Sequence, residues 1–172
     1  MAETRSLIVG CGDVGLRVAR QLRELGQDCL PLVRSPTSAD LLRAGGFSPR
    51  ILDLDRDAPE FDAEQVYWFA PPPPQGRTDP RLRRWLETLV PRERRIVYIS
   101  TSGVYGDCAG RWITEDEPLK PQTDRGHRRL DAEHRVRTCN PAFERLFGYR
   151  EQEIVGSNLD EFIAPKDRPV EA

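Results

Sequence analysis

The stretch LIVGCGDVG at residues 7–15 governs how the chain begins to fold. An apolar run ends at Gly10, and apolar residues then recur at helical spacing until Gly26. The members of this second set are Val14, Val18, Leu22 and Leu25. The pattern predicts a β-strand, a tight glycine turn and an amphipathic helix.

Each glycine of this GxGxxG motif is expected for a different geometric reason. Gly10 permits the tight turn, Gly12 lets the backbone approach a ligand closely, and Gly15 allows the helix to pack on the strand. The first residues of the helix, Asp13 and Val14, then present backbone N–H groups to an anion such as a pyrophosphate. The motif predicts nucleotide binding, and the alternative is a purely structural glycine turn.

Strand-like and helix-like segments alternate beyond this opening. Further strands are predicted at 29–33, 50–54, 65–70 and 95–100, and helices at 38–46, 79–90 and 123–135, the first of these capped by Ser38. The proline run 71–74 predicts a loop after the fourth strand. Apolar strands separated by amphipathic helices are typical of a parallel sheet with helices on both faces, which is an α/β fold.

The residues that follow the second, third and fourth strands suggest which nucleotide binds. The second strand runs into Arg34 and Ser35, a cation and a hydroxyl suited to a 2′-phosphate, which favours NADP over NAD. Arg34 could instead be a solvated surface cation. Asp53 is placed at the adenine edge or, equally, as a cap on its own loop, and Ala70 is placed beside the cofactor.

Composition excludes several classes of function. The chain has 172 residues, 38% of them hydrophobic, which is enough for one compact core. Its 26 basic and 28 acidic residues are mixed along the chain, so we expect no nucleic-acid partner. The charged start predicts no signal peptide or membrane span, and hence a cytoplasmic protein. The widely spaced Cys11, Cys29, Cys108 and Cys139 predict buried thiols, with no metal site.

A second motif, STSGVYG at residues 100–106, follows the fifth strand. Together with GCGDVG it resembles the extended short-chain dehydrogenase/reductase family of NAD(P)-dependent epimerases and dehydratases, over residues 6–134. The resemblance implies that Thr101, with Ser102 beside it, hydrogen-bonds the reacting oxygen of a nucleotide sugar or other small substrate. It also makes Tyr105 a packing or substrate-wall residue in preference to a substitute base.

The family's acid/base residues are replaced in this chain. The family carries a YxxxK pair in a helix ending LxAE, and LDAE at 130–133 places the lysine position at Arg129 and the tyrosine position at Arg125. Arginine does not exchange a proton near neutral pH, although Arg129 could still hold ribose or phosphate oxygens. We therefore expect weak or absent oxidoreductase or epimerase turnover.

The character of the sequence changes at Val136, and the stretch VRTC at 136–139 is predicted to be strand-like. The stretch CNPAFERLFGYREQEIVGSNLDEFIAPKDR at 139–168 is similar to the middle of a PAS domain. The resemblance implies a sensor module, but the family's later strands are missing, so no haem or flavin ligand is predicted. The alternative is that its apolar side chains form a cap on the nucleotide-binding sheet or on another subunit.

These observations predict a chimeric chain. Residues 1–135 form a truncated Rossmann-like three-layer domain with a mostly parallel sheet of order 3-2-1-4-5, and residues 136–172 form a small α-rich, PAS-like segment. The predicted function is NAD(P) binding with little enzymatic activity. The alternative is a nucleotide-sensing or partner-binding module that uses the tail. The open sheet edge or the apolar tail would allow a homodimer.

Overall fold

A computed structural model describes residues 6–61, 63–89, 94–114 and 116–138. The sheet contains β1 (Ser6–Val9), β2 (Cys29–Val33), β3 (Arg50–Ile51), β4 (Gln65–Trp68) and β5 (Arg95–Tyr98). The helices are α1 (Asp13–Glu24), α2 (Pro36–Ala44), α3 (Pro80–Glu87) and α4 (Asp124–Thr138), with a 3₁₀ turn at Ser102–Val104.

The five described strands pair in the order β3-β2-β1-β4-β5, and all four pairings are parallel. The predicted fold class and strand order are therefore confirmed. The carboxyl ends of the strands meet at one edge of the sheet, where open α/β sheets bind their ligands. In the described residues, no helix has the length and apolar character needed to span a bilayer.

Alternation along the strands divides the core into two layers. In β1, Ile8 packs with the apolar residues of α1 and α2 on one face of the sheet. Leu7 and Val9 point to the opposite face, where α3 and α4 pack. The centre of that second layer is a pair of fully buried rings, Trp68 and Trp85, stacked with centroids 5.0 Å apart.

Some predicted boundaries were wrong. Helix α2 begins at Pro36 and is capped by Ser35, whose Oγ accepts a hydrogen bond from Ser38 N at 3.2 Å, so Ser38 is not the cap. Proline suits the first helical position because it has no N–H to leave unpaired. Strands β3, β4 and β5 are shorter than predicted.

Helix α4 also extends beyond its predicted end. Residues 136–138 were expected to be strand-like, but the helix continues to Thr138. Ala132 and Val136, four residues apart on one helix face, are buried against the sheet, and this packing overrides the local preference. The expectations for residues 139–172, including their PAS-like and α-rich character, lie outside the described residues.

Candidate nucleotide-binding site

A cavity of about 110 Å³ lies at the carboxyl ends of β1 to β4. Backbone and side chains from four separate loops form its wall, so the site exists only in the folded sheet. It is lined by Val9, Gly10, Leu32, Val33, Arg34, Leu52, Asp53, Leu54, Ala70, Pro71 and Arg81. Gly10, Arg34, Asp53 and Ala70, all predicted at the cofactor, are thus brought together.

The glycine turn has little room for side chains on its inner side. Gly10 has φ +82°, and a Cβ there would lie 2.5 Å from Ala70 N. A Cβ on Gly15 would lie 3.1 Å from Ile8 Cγ2, so this glycine brings α1 close to β1. At Gly12 a Cβ would meet no heavy atom within 4 Å. The outer side of the turn is therefore open to a ligand.

The N-terminus of α1 faces this open side. Its N-cap is Gly12, which has no side chain to bond the first-turn N–H groups. Val14 is 45% exposed, and the Asp13 carboxylate pairs with Arg17 at 3.2 Å. The helix dipole and the uncapped first turn together suit an anionic group.

Arg34 and Ser35 follow β2, Asp53 follows β3, and their side chains differ in the contacts that they make. Arg34 is exposed and lines the cavity. The hydroxyl of Ser35 caps α2 and contacts Ser38 Oγ at 2.9 Å. Asp53 caps its own loop, because its Oδ1 accepts a hydrogen bond from Asp55 N at 3.1 Å, and it also lines the cavity. Its predicted place at the adenine edge stays a prediction.

Sequence reasoning missed Arg81, which lies at the mouth of the cavity. Asp79 caps α3 by accepting hydrogen bonds from Arg81 N at 3.1 Å and Leu82 N at 3.2 Å, and this places Arg81 in the first turn. The Arg81 guanidinium donates to both carboxylate oxygens of Asp55 at 2.7 Å and to Pro71 O at 2.9 Å. It therefore joins the loop after β3 to the loop after β4.

The ion pair also fixes the charge of Asp55. The Arg81 hydrogen bond lowers the pKa of Asp55 below its ordinary value, and the positive charges of Arg81, Arg34 and Arg84 act in the same direction.

The STSGVYG motif forms the 3₁₀ turn after β5. Thr101 is half-buried and caps this turn through Oγ1, which accepts from Gly103 N at 3.4 Å. Ser102 is exposed, and Tyr105 is half-buried. The first turn of α4 packs directly on this motif, because a Cβ on Gly126 would lie 2.7 Å from Gly103 O.

Arg129 is buried between α4 and β5. Its Nη1 donates to Ile99 O at 2.8 Å and to the Tyr98 hydroxyl at 3.0 Å. Burial raises the pKa of Tyr98 to about 12, against the opposing charge and hydrogen bond of Arg129. In this position Arg129 anchors α4 to the sheet. Arg125, at the family's tyrosine position, is exposed.

A polar network ties the proline loop at 71–79 to α4. Asp131 accepts hydrogen bonds from Asp79 N and Arg83 Nε, both at 3.1 Å, and from Arg135 Nε at 3.3 Å. Burial opposes ionisation of Asp131, but the bonds to Arg83 and Asp79 and the charges of Arg83 and Arg135 outweigh it and hold its pKa below the ordinary value. Arg128 adds a bond to Gly76 O.

The cysteines of the described part of the chain are free thiols. Cys11 is buried, whereas Cys29 and Cys108 are half-buried. Burial, followed by the nearby Cys29, raises the pKa of Cys11 to about 11. No cluster of His, Cys, Asp and Glu suited to a metal ion occurs within residues 6–61, 63–89, 94–114 and 116–138. Cys139 lies outside these ranges.

Solved structures resemble this unit. A conserved protein of unknown function from Silicibacter pomeroyi is 28% identical with a TM-score of 0.68, and the alignment covers 79% of this chain and 49% of that one. A short-chain dehydrogenase/reductase superfamily protein from Agrobacterium tumefaciens with bound NAD is 21% identical with a TM-score of 0.61. The alignment covers 78% of this chain and 44% of that one.

A UDP-glucuronic acid 4-epimerase from Bacillus cereus, in complex with UDP-glucuronic acid and NAD, is 19% identical with a TM-score of 0.58. The alignment covers 78% of this chain and 52% of that one. The chain thus spans about half the length of the structures it matches. The comparison with curated proteins gave no significant match.

A family model described as the PAS fold matches residues 127–171. The match begins inside α4, so residues 127–138 belong both to a helix of the α/β unit and to the PAS-like sequence. Both resemblances predicted from the sequence are confirmed. The described unit has the fold of the short-chain dehydrogenase/reductase and epimerase structures, and the chain continues into a segment that matches the PAS fold.

Proposed function

We propose that the α/β unit binds a nicotinamide dinucleotide at the carboxyl edge of its sheet. The cavity at the ends of β1 to β4 is the observation that carries this proposal. The glycine turn supports it, because Gly10 and Gly15 bring strand, helix and neighbouring loop together while the side of Gly12 stays open. In the similar structures from Agrobacterium tumefaciens and Bacillus cereus, the bound dinucleotide is NAD.

The residues around the cavity have separate roles in this proposal. Gly12 and the first-turn N–H groups of Asp13, Val14 and Gly15 hold the pyrophosphate. Asp53 and Ala70 flank the adenosine, and the Ser35 hydroxyl, which caps α2, follows Arg34 in the chain. Arg34 receives the 2′-phosphate, which makes NADP the preferred cofactor.

A thermal melt of the purified chain with NADPH or NADH tests the proposal. At a hundredfold excess over its dissociation constant, a ligand that binds only the folded state stabilises it by about 2.7 kcal/mol. We expect a cooperative melt that NADPH raises more than NADH. Arg34→Gln should abolish the difference between the two ligands, since it removes the cation but keeps a polar side chain. A melt that responds to neither would contradict nucleotide binding.

We propose little or no turnover by this unit. The bound nicotinamide would supply a hydride acceptor or donor, but the positions of the acid/base pair hold an exposed Arg125 and an Arg129 that is bonded to β5. Any residual reaction of a nucleotide sugar would depend on the Thr101 hydroxyl. If a steady rate of NADPH oxidation is found, Thr101→Val should lower it about tenfold or more. An unchanged rate would remove Thr101 from the site.

The overlap between α4 and the PAS match favours a second function. Helix α4 packs on the 3₁₀ turn through Gly126 and continues into the PAS-like sequence. A change at the nucleotide site therefore has a short route to the tail, which suits a nucleotide-sensing or partner-binding module. This alternative requires ligand-dependent stabilisation without turnover, together with a change in partner binding or self-association when NADPH is added.

A further inference from the structure

Two arginines line the cavity, and a carboxylate is bonded to one of them. Arg34 follows β2, Arg81 lies in the first turn of α3, and both line the cavity. Asp55, in the loop after β3, is bonded to Arg81. Because Arg34 and Arg81 line the same small cavity, of about 110 Å³, Asp55 lies near both guanidinium groups.

The geometry settles this competition in favour of Arg81. Its guanidinium grips Asp55 with two parallel hydrogen bonds of 2.7 Å, the arrangement in which arginine binds carboxylate most strongly. The bond to Pro71 O at 2.9 Å holds the group in place, and its side chain is only 11% exposed. Arg34 is exposed and forms no salt bridge with any residue of the described ranges.

The loop after β3 supports the same arrangement. Asp53 Oδ1 accepts from Asp55 N at 3.1 Å, which fixes the backbone of Asp55. Asp53 Oδ2 lies 3.8 Å from Arg56 Nε. Both carboxylates near the cavity therefore have cationic partners other than Arg34, which remains available for an incoming anion.

We propose that Arg81 determines the preference for a 2′-phosphate by holding Asp55 away from Arg34. This inference rests on the proposed NADP binding, but it concerns a residue that needs no contact with the cofactor. Without Arg81, the released carboxylate pairs with Arg34 and repels the phosphate. Arg81 is thus a positioning residue. If this is its role, removing the Asp55 carboxylate should restore the preference for NADPH in a variant that lacks Arg81.

A double-mutant cycle tests this role. Dissociation constants for NADPH and NADH are measured by titration calorimetry for the wild type, Arg81→Gln, Asp55→Asn and the double variant. Because the new ion pair would be solvent-exposed, Arg81→Gln should weaken NADPH about fivefold relative to NADH. Asp55→Asn alone should keep the wild-type preference, and the double variant should recover it.

The chain offers a matched control outside the cavity. Arg43 and Asp40 form an exposed pair at 2.8 Å on α2, and neither residue lines the cavity. Arg43→Gln and Asp40→Asn should leave the ratio of the two dissociation constants unchanged. Arg81→Lys, which keeps the charge but loses the fork, should give a ratio between those of the wild type and Arg81→Gln. It also serves as the test if Arg81→Gln does not fold.

The outcomes separate the two proposals. A wild type that binds neither NADPH nor NADH overturns the proposed function. If the wild type prefers NADPH, an unchanged ratio in Arg81→Gln overturns the inference alone. An equal loss of both ligands would make Arg81 purely structural, and a double variant as weak for NADPH as Arg81→Gln would make it a direct phosphate ligand. Either result also overturns the inference.

Discussion

At the scale of single residues, the site depends on places where a side chain is not tolerated. Gly10 combines a positive φ of +82° with a backbone neighbour, Ala70 N, 2.5 Å from where a Cβ would be. Both the conformation and the space therefore require glycine. Gly26 shares the conformation, with φ +69°, but nothing lies within 4 Å of its Cβ position.

Gly10 and Gly26 together provide a matched test of the glycine turn. Gly10→Ala should lower the free energy of unfolding by about 3 kcal/mol, since it combines a left-handed conformation with overpacking. Gly26→Ala should cost only about 1 kcal/mol, from the conformation alone. Urea denaturation measures both values, and NADPH titration should show weaker binding only for Gly10→Ala. Equal losses in the two variants would contradict the role given to the contact with Ala70.

Single residues also mark the limit of what sequence could predict. The glycine spacing predicted the turn, and Arg34, Asp53 and Ala70, which were predicted to bind the cofactor, all line the cavity. Arg81 was missed because its place depends on contacts with two loops, through Asp55 after β3 and Pro71 after β4. The burial of Arg129 was missed for a similar reason, since its partners lie on β5.

At the scale of elements, α4 is held by polar contacts as well as by its apolar face. Asp131 receives the Asp79 N–H from the proline loop and the Arg83 side chain from α3, so one carboxylate joins three segments. Its side chain is only 17% exposed, which distinguishes it from the exposed Asp124 of the same helix. The orientation of α4 against the loop therefore depends on an ionised Asp131.

Asp131→Asn should test this dependence through pH. At pH 7 the variant should lose about 1–2 kcal/mol of unfolding free energy, because the amide cannot replace the charge-assisted bond to Arg83. Because folding lowers the pKa of Asp131, its stabilisation is full above the unfolded-state value, ordinarily 3.8, and is lost as the pH falls through the lower folded-state value. The difference from wild type should therefore shrink below about pH 4 in urea melts.

Asp124 offers the control on the same helix. Its side chain is 67% exposed, and it lies 3.6 Å from Arg77 Nε. Asp124→Asn should cost less than about 0.5 kcal/mol at pH 7. An Asp131→Asn variant no less stable than Asp124→Asn would show that the network does not hold α4.

The helices and strands also show why local sequence patterns predicted the type of an element better than its first and last residues. Local sequence patterns predicted each described strand and α-helix, and these elements bury one face or both, except the exposed two-residue strand β3. The predicted boundaries were wrong where a helix cap or tertiary packing outweighed the local pattern. Pro36 moved the start of α2 from the predicted Ser38 cap to Ser35, and burial of Val136 carried α4 through residues that are strand-like by composition.

At the scale of the whole molecule, the two resemblances share one helix. Residues 127–138 complete the core of the α/β unit through Ala132 and Val136, and the PAS match starts at the same place. The predicted division of the chain between residues 135 and 136 would separate Val136 from this core. We therefore propose that the α/β unit extends at least to Val136.

Two shortened chains test this division. A chain ending at Thr138 should keep a cooperative melt and its response to NADPH. A chain ending at Arg135 should be less stable by about 2 kcal/mol, because it lacks the buried Val136 side chain. Thermal melts with and without NADPH measure both effects. A chain ending at Thr138 that showed no cooperative transition would assign part of the core to residues beyond it.

The stacked tryptophans of the core give the protein its own optical reporter. Trp68 and Trp85 are fully buried, and their rings lie 28° from parallel, whereas Trp112 is fully exposed. Trp112 therefore emits as an indole in water whether or not the chain is folded, and a shift of the fluorescence spectrum on unfolding comes from the stacked pair. An aqueous quencher such as iodide would suppress the Trp112 emission first. The remaining light then reports on the packing of α3 against the sheet.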